Sequence, residues 1–344
     1  MGEAGSLPIY KDIVNIDVGI SAEESMRYLK SKSTDVHIKT FEIENGISDS
    51  EINVILPLDE TKKDIRGCLE YLIAQTFNEK SFSGHLAVFG HIDSDIFKKL
   101  RLIVTDAGLN ETAMKICREL ESKFEGRMKI ITGLKAENLL SAGLKASKGR
   151  YVMFINGNDI FVPQAFQLLH EIIENTRADV VHTSNFLVPN ADNTLTLKTD
   201  EPAWGKYLQL TIFLKRLRDK FGAWANSMIS PSIFNKLIRR EFLEEEKISL
   251  PFADDMTQWI FSLQCLMLAE NYVRVPQPVY VRTSTTPPPP NVIKDFPTQI
   301  KSLAKCYEAL DKLDEEVFYF DEYADEKILI KNIFNKNFVN EVQT

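Results

Sequence analysis

Side chains that carry oxygen atoms stand directly after several apolar runs in this sequence. They are Asp59, Asp106, Asn156, Asn158 and Asp159. Carboxylate and amide oxygens accept hydrogen bonds, and they are the ligands that hard divalent cations prefer. If the apolar runs are strands of a parallel sheet, these residues lie beyond the carboxyl ends of the strands, where such sheets bind their ligands. We therefore expect one polar pocket at that edge of the sheet.

Some of these polar residues also have a plain structural explanation. Asn156 and Asn158 flank Gly157, and Asn-Gly is a common turn-forming pair. A further acidic pair, Asp254 and Asp255, opens an apolar helical pattern after a loop, and aspartates at that place cap a helix and favour its dipole. The sequence leaves the functional and the structural interpretation of these residues open.

Short apolar runs alternate with amphipathic helical patterns through the first half of the chain. Strands are predicted at 52–56, 100–105, 128–132, 151–155 and 179–183, and helices at 64–76, 110–124, 137–147 and 163–176. Pro57 is predicted to end the first strand. Nearly continuous apolar strands are typical of a parallel sheet covered on both faces, and the alternation calls for right-handed crossovers. The predicted fold class is α/β, with a mainly parallel mixed sheet flanked by helices.

The second half of the chain is less regular. Helices are predicted at 206–220, 231–239 and 254–269, and one strand at 272–281. The tetraproline 287–290 is stiff and extended, which is typical of a boundary. Two amphipathic helices are predicted beyond it, at 298–313 and 325–338. We therefore divide the chain into an N-terminal extension (1–50), a central domain (51–286) and a C-terminal helical tail (287–344).

The charge balance and the hydropathy exclude several classes of protein. Among 344 residues, 41 Lys and Arg stand against 49 Asp and Glu, and the net charge of −8 argues against a free-standing nucleic-acid-binding protein. The sequence has no apolar run of the ~18 residues that would span a bilayer, and residues 1–7 lack the layout of a signal peptide. We expect a cytoplasmic protein, and we leave peripheral association with the inner face of the membrane open.

The cysteines and histidines give no sign of a metal site. The four cysteines are far apart, have no C-x-x-C spacing and lie in apolar helical patterns. Buried free thiols in a reducing compartment are the simplest interpretation. The five histidines show no spacing typical of zinc ligands.

A series of short segments runs through the central domain in a distinctive order. They are Pro57, Gln75–Thr76, 105–112, 143–151, 156–159 followed by Pro163, Asn235–Leu237, Asp254–Asp255 and Tyr280–Arg282. Their order and spacing resemble bacterial family 2 glycosyltransferases of the GT-A fold, over about residues 51–286. Each segment is weak evidence by itself, and the shared order is what carries the resemblance.

The resemblance implies an inverting transfer of a hexosyl-type sugar from a nucleotide-diphospho-sugar to a glycan or cell-surface polymer. It gives Asp255, or Asp254, the role of the catalytic base that takes the acceptor proton. It gives Asp106 the recognition of a uracil-type base. The nucleotide-sugar-binding residues that it implies are Pro57, Asp59, Asp106, Asn156, Asn158 and Asp159. Asn158 and Asp159 would also hold Mg or Mn beside the departing diphosphate.

The chain departs from the family pattern at the donor site. Asn156 and Asn158 replace the carboxylates of the D-x-D motif, and an amide oxygen brings no charge, so we expect the divalent cation to be weakly bound or absent. The arginine that usually precedes the 143–151 segment is missing from Leu139-Leu140-Ser141. An active glycosyltransferase and a catalytically degenerate binding or interaction module both fit these changes. A nucleotidyltransferase fits less well, because residues 58–62 contain no glycine-rich phosphate loop.

Overall fold

The computed structural model describes most of the central domain and one helix of the C-terminal tail. The described residues are 52–58, 65–73, 75, 99–108, 110–162, 165–183, 185–190, 194–200, 211–225, 229–230, 232–282, 296–316, 328 and 332. The N-terminal extension, Asp59, the tetraproline and nearly all of the helix predicted at 325–338 lie outside them. The proposed domain boundaries therefore stay predictions.

The described residues form twelve strands in two sheets. The strands are β1 (Ile52–Leu58), β2 (Leu100–Asp106), β3 (Met128–Ile131), β4 (Tyr151–Phe154), β5 (Asp159–Phe161), β6 (Val180–Thr183), β7 (Asn185–Pro189), β8 (Leu195–Thr199), β9 (Ile212–Leu214), β10 (Lys236–Arg239), β11 (Tyr272–Val275) and β12 (Tyr280–Arg282). The larger sheet has eight strands in the order β3-β2-β1-β4-β10-β6-β11-β9, and the smaller has four in the order β5-β12-β7-β8.

Eight α-helices accompany these strands in the described residues. They are α1 (Arg66–Ile73), α2 (Glu111–Leu120), α3 (Leu139–Ala146), α4 (Ala165–Thr176), α5 (Leu217–Ala225), α6 (Arg240–Glu245), α7 (Asp255–Leu268) and α8 (Phe296–Glu316). Short 3₁₀ turns extend α2 at its end and precede α3. In the described residues, no helix has the length and the apolar character needed to cross a bilayer.

The larger sheet is mixed and mainly parallel, as the sequence predicts. The strands β1, β2, β3 and β4 run parallel to one another. The strand β10 lies antiparallel between β4 and β6, and β11 runs parallel to β6. The carboxyl ends of β1, β2, β4, β6 and β11 therefore lie along one edge, and the N-terminal end of β10 lies among them.

Apolar side chains cover both faces of this sheet. In β1, Ile52, Val54 and Leu56 belong to a buried cluster with residues of α1, α2 and α4. Ile55 points to the opposite face and belongs to a second cluster with residues of α3, α7 and α8. The alternation follows from the two-residue period of a strand. The helices thus form a layer on each side of the sheet, and the strand ends face away from both clusters.

A glycine in the 143–151 segment serves packing. A Cβ atom added to Gly143 of α3 would overlap the Ile55 side chain of β1. The helix can therefore lie close to the sheet only because this residue has no side chain. This contact explains why one conspicuous part of the sequence pattern needs glycine without giving it a chemical role.

Several predicted elements differ from the structure, mostly in the second half of the chain. Pro57 lies inside β1, which continues to Leu58. The helix predicted at 206–220 is wrong where the chain is described, because β9 lies within it and α5 begins only at Leu217. The helix predicted at 231–239 is also wrong, because it contains β10. Both short strands are partly buried in the sheet, and tertiary pairing overrides a local apolar spacing that also fits a helix.

The strand predicted at 272–281 is in fact two strands in different sheets. β11 ends at Val275 and β12 begins at Tyr280. Pro276 and Pro278 lie between them, and proline cannot donate a hydrogen bond to a strand ladder. The chain therefore leaves the larger sheet after β11 and joins the smaller sheet, where β12 lies between β5 and β7.

Candidate active site

Two of the polar segments singled out in the sequence meet at the carboxyl edge of the larger sheet. Asp106 is the last residue of β2 and pairs in register with Leu58 of β1. The segment that follows β4 lies on the other side of β1, since Phe154 pairs with Ile55. Neighbouring strands are about 4.8 Å apart, so β2 and β4 are separated by roughly 10 Å. Asp106 and the turn after β4 therefore lie on opposite sides of the end of β1.

The carboxylate of Asp106 is held in a fixed orientation. Its Oδ1 accepts a hydrogen bond of 2.9 Å from the N–H of Gly108, and the side chain is only 6% exposed. Gly108 has a φ of +74°, a conformation that glycine adopts readily. Within the described part of the chain, Oδ2 accepts no hydrogen bond. One oxygen of Asp106 therefore positions the group, and the other stays available to a ligand.

A cavity of about 540 Å³ lies beside Asp106. Its described lining residues are Asp106, Gly108, Asn110, Glu111, Met114, Lys115, Arg118 and Glu119. The last five belong to α2, which begins immediately after the Asp106 turn because the side chain of Asn110 caps it through the N–H of Ala113. Asn110 therefore serves as a helix cap. The cavity has the size of a small-molecule site.

The segment after β4 forms a tight turn. Asn156 Oδ1 accepts from the N–H of Asn158 at 3.1 Å, and the Asn156 carbonyl accepts from the N–H of Asp159 at 2.9 Å. Gly157 is buried against Leu56 and Ile65. The side chain of Asn156 thus closes a turn, which agrees with the structural interpretation of this residue. Asn158 is half-buried, and Asp159 is 7% exposed at the start of β5.

Asp159 faces an arginine across the smaller sheet. It pairs in register with Arg282 of β12. The guanidinium of Arg282 donates to both carboxylate oxygens of Asp200, at 3.0 and 2.8 Å, and lies 3.7 Å from the centre of the Phe186 ring. Burial alone lowers the pKa of Arg282, but the hydrogen bonds to Asp200 and the charges of Tyr280, Asp200 and Asp159 outweigh burial and raise it.

The described residues do not fit a tight site for a divalent cation. The residues that would hold Mg or Mn are one amide, Asn158, and one carboxylate, Asp159, and that carboxylate faces the fixed positive charge of Arg282. Calcium and magnesium sites normally combine several oxygen ligands, with carboxylates supplying the charge. The expectation of a weakly bound or absent cation stays a prediction, and no step of the chemistry below depends on a metal.

The two adjacent aspartates before α7 have different environments. Asp254 caps the helix: it accepts from the N–H and the hydroxyl of Thr257, at 3.0 and 2.8 Å, and from the hydroxyl of Ser302 at 2.7 Å. It is only 7% exposed. Asp255 is exposed in the first turn of the helix. The carboxylate of Asp254 is therefore used to fasten α7 to α8, and Asp255 is the one that solvent reaches.

Sequence reasoning favoured a solvated helix face for Lys236, but the structure places this residue in a row of basic residues buried beneath the carboxyl edge. Lys236 of β10 and Arg274 of β11 each pair in register with His182 of β6, and all three side chains are fully buried. Burial, followed by the charges of Lys236 and Arg274, lowers the pKa of His182 well below its usual value, so its ring is neutral. The presence of basic residues inside the apolar runs 180–183 and 272–275 is the feature of the sequence that could have indicated this row.

The row holds the loop that leads into β10. The Nζ atom of Lys236 donates to the carbonyl of Ser230 at 2.9 Å and to that of Ser232. Asn235 contacts both Lys236, through Oδ1 at 3.2 Å, and the Nε2 atom of His182, through Nδ2 at 3.1 Å. Lys236 therefore positions the backbone at the edge of the sheet and does not contact solvent.

Two curated relatives are glycosyltransferases of Streptococcus pneumoniae serotype 4. Glycosyltransferase GlyG is 21% identical over 221 residues, which cover 62% of this chain and 65% of GlyG. Glycosyltransferase GlyA is 25% identical over 136 residues, which cover 38% of this chain and 16% of GlyA. The chain thus spans less than two thirds of the length of either relative.

The solved structures that align with this chain include TarS of S. aureus, residues 1–349. The complex of TarS with UDP-GlcNAc has a TM-score of 0.57 at 14% identity and covers 84% of this chain and 73% of that chain. The complex with UDP has a TM-score of 0.54 at 15% identity and covers 84% and 72%. At such low identity the likeness shows the fold, and the predicted GT-A-like architecture is confirmed.

The sequence comparison with protein families agrees with the segment order described above. Residues 54–245 match the profile Glycosyl transferase family 2, and this match covers more than half of the chain. It contains the cavity beside Asp106, the turn at 156–159 and the basic row as far as β10. The protein belongs to glycosyltransferase family 2.

Proposed function

We propose that the protein transfers a hexosyl-type sugar, with inversion, from a nucleotide-diphospho-sugar to a hydroxyl of a glycan or cell-surface polymer. The observation that supports this most strongly is Asp106. One carboxylate oxygen is fixed by Gly108, and the other is open at a cavity large enough for a nucleoside. A buried acceptor at such a place can recognise the N–H of a pyrimidine ring.

The chemistry assigned to the site is one in-line displacement. The acceptor oxygen attacks the anomeric carbon, the bond from that carbon to the diphosphate oxygen breaks, and the acceptor proton passes to Asp255. Asp255 suits this role better than Asp254, because its side chain is exposed, whereas Asp254 is only 7% exposed and accepts hydrogen bonds from Thr257 and Ser302. A positioned base of this kind contributes about 10²–10⁴-fold to the rate.

The donor that we propose is linked to uridine diphosphate. The TarS structures that share the fold contain UDP-GlcNAc or UDP. The proposed acceptor class rests on the segment order alone. The proposed cytoplasmic location, with or without contact with the membrane face, rests on the hydropathy of the sequence. Pro57 lies buried in β1 at the donor edge, and the proposed role of Asp59 falls on a residue outside the described part of the chain.

A second function is favoured by the turn at 156–159. Because the side chain of Asn156 closes the turn and Asn158 carries no charge, the domain also fits a degenerate glycosyltransferase that binds a partner or an acceptor without transfer. The two functions differ in one measurable property. Only the enzyme releases UDP from a UDP-sugar at a rate that depends on Asp255.

The test begins with UDP binding by titration calorimetry and continues with UDP release from UDP-GlcNAc, UDP-glucose and UDP-galactose, in which water serves as the acceptor of the sugar. We expect UDP to bind and at least one of these sugars to be turned over, with a rate that collapses in Asp255→Asn. Binding without any turnover would favour the degenerate module. The absence of UDP binding would contradict both the donor class and the role of Asp106.

A further inference from the structure

The cavity beside Asp106 carries two cations that the proposed chemistry does not use. Lys115 and Arg118 line it together with Glu111, and residues spaced by three or four positions share one face of a helix. The Cα–Cβ bonds of a helix tilt toward its N-terminus. Since α2 begins at Glu111, just after the Asp106 turn, the side chains of Lys115 and Arg118 leave the helix toward the Asp106 end of the cavity.

Both cations are available to a ligand. Lys115 and Arg118 are exposed, and within the described part of the chain neither forms an ion pair or a hydrogen bond. Their neighbour Glu119 differs, because it pairs with Arg66 of α1. A ligand that accepts hydrogen bonds from Lys115 and Arg118 would therefore displace only water.

Recognition of uracil needs both a hydrogen-bond acceptor and hydrogen-bond donors at the edge of the ring. Its N3–H is a donor that lies between two carbonyl acceptors, O2 and O4. The free oxygen of Asp106 can accept from N3–H, and the ring carbonyls then need N–H donors nearby. The arginine that usually precedes the 143–151 segment is missing here, and Leu139 and Leu140, two of the residues at that place, are apolar and buried.

We propose that Lys115 and Arg118 supply these donors, so that α2 recognises the uracil O4 of a UDP-linked sugar beside Asp106. The inference rests on the proposed function and makes it more specific, because it assigns the choice of base to named residues. Cytosine carries an amino group in place of O4, and an amino donor facing two cationic donors is disfavoured. The proposal therefore predicts a preference for UDP over CDP that depends on these two side chains.

The experiment measures the affinities of UDP and CDP by titration calorimetry for three proteins. They are the wild type, the double variant Lys115→Gln/Arg118→Gln, and the control Lys123→Gln/Lys129→Gln. The control removes the same charge from exposed positions that are not among the described lining residues. We expect the double variant to lower the ratio of UDP to CDP affinity by about tenfold or more, as for the loss of a charge-assisted hydrogen bond. We expect the control to keep the wild-type ratio.

The alternative outcomes are distinct from one another. If the double variant weakens UDP and CDP equally, the two cations attract only the phosphates and the proposal is wrong. The same holds if the variant behaves like its control. In both cases the wild type still binds UDP and the proposed function stands. If the wild type itself does not bind UDP, the proposed function fails, and the assignment of the base fails with it.

Discussion

At the scale of single residues, two neighbouring aspartates show that residue type alone does not determine the role of a side chain. The sequence does not show which of Asp254 and Asp255 caps the helix and which serves as the base. The structure separates them, because Asp254 is buried and accepts hydrogen bonds from Thr257 and Ser302, whereas Asp255 is exposed. One of these hydroxyls, that of Ser302, lies in α8, forty-eight positions along the chain. No local pattern contains that information.

The two aspartates should therefore respond differently to the same substitution. Asp254→Asn keeps an oxygen for the Thr257 N–H but loses an acceptor for the hydroxyls, so we expect the free energy of unfolding to fall by about 1–3 kcal/mol. Asp255→Asn should change it by less than about 0.5 kcal/mol, since the residue is exposed, while sugar transfer falls by about 10²–10⁴-fold. Urea unfolding and an assay of UDP release measure the two effects, and a fully active Asp255→Asn would remove the proposed base.

The cysteines give a second prediction at this scale. All four are free and buried, as the sequence predicts. Burial, with a smaller effect from the charges of Asp106 and Glu121, raises the pKa of Cys117 to about 12, so hardly any thiolate exists at pH 8. We expect alkylation of Cys117 by iodoacetamide at pH 8 to be limited by unfolding, with its rate rising in urea. Rapid alkylation of the native protein, located by mass spectrometry, would show that the face of α2 that carries this thiol is not buried against the sheet.

At the scale of elements, the first half of the chain is predictable and the second half is not. The strands β1 to β4 are mainly apolar runs that alternate with amphipathic helices, so local pattern and tertiary position agree. The strands β9 and β10 have three and four residues, and their apolar residues also fit a helical spacing. The smaller sheet depends on where the chain turns after Pro276, which periodicity does not encode.

The packing of α3 on β1 can be tested with two glycines. Gly143→Ala should lower the free energy of unfolding by about 1–3 kcal/mol, because the added methyl group overlaps Ile55. Gly222→Ala in α5 is the matched change, since the new Cβ meets no atom within 4 Å. It should raise stability by about 0.5–1 kcal/mol, because alanine is the better helix former. Urea unfolding measures the stability of both variants. A Gly143→Ala variant with the wild-type free energy of unfolding would contradict the close approach of α3 to β1.

At the scale of the whole molecule, the order of segments predicted the fold and the family before any contact was known. It placed Asp106 and the turn at 156–159 on one edge, and the parallel register of β1, β2 and β4 brings them there. It did not predict that the cavity extends along α2, because an order of short segments does not show which side chains line a cavity. The role of each side chain thus depends on packing that a single sequence does not display.

The central claim is that Asp106 binds the nucleotide of the sugar donor, and titration of UDP into Asp106→Asn tests it most directly. The amide oxygen of asparagine can still accept from Gly108, so the turn and the melting temperature should be preserved, while the acceptor for the ring N–H is lost. We predict that the wild type binds UDP and that Asp106→Asn binds it about tenfold or more weakly. Equal affinity of the two proteins for UDP would contradict the claim.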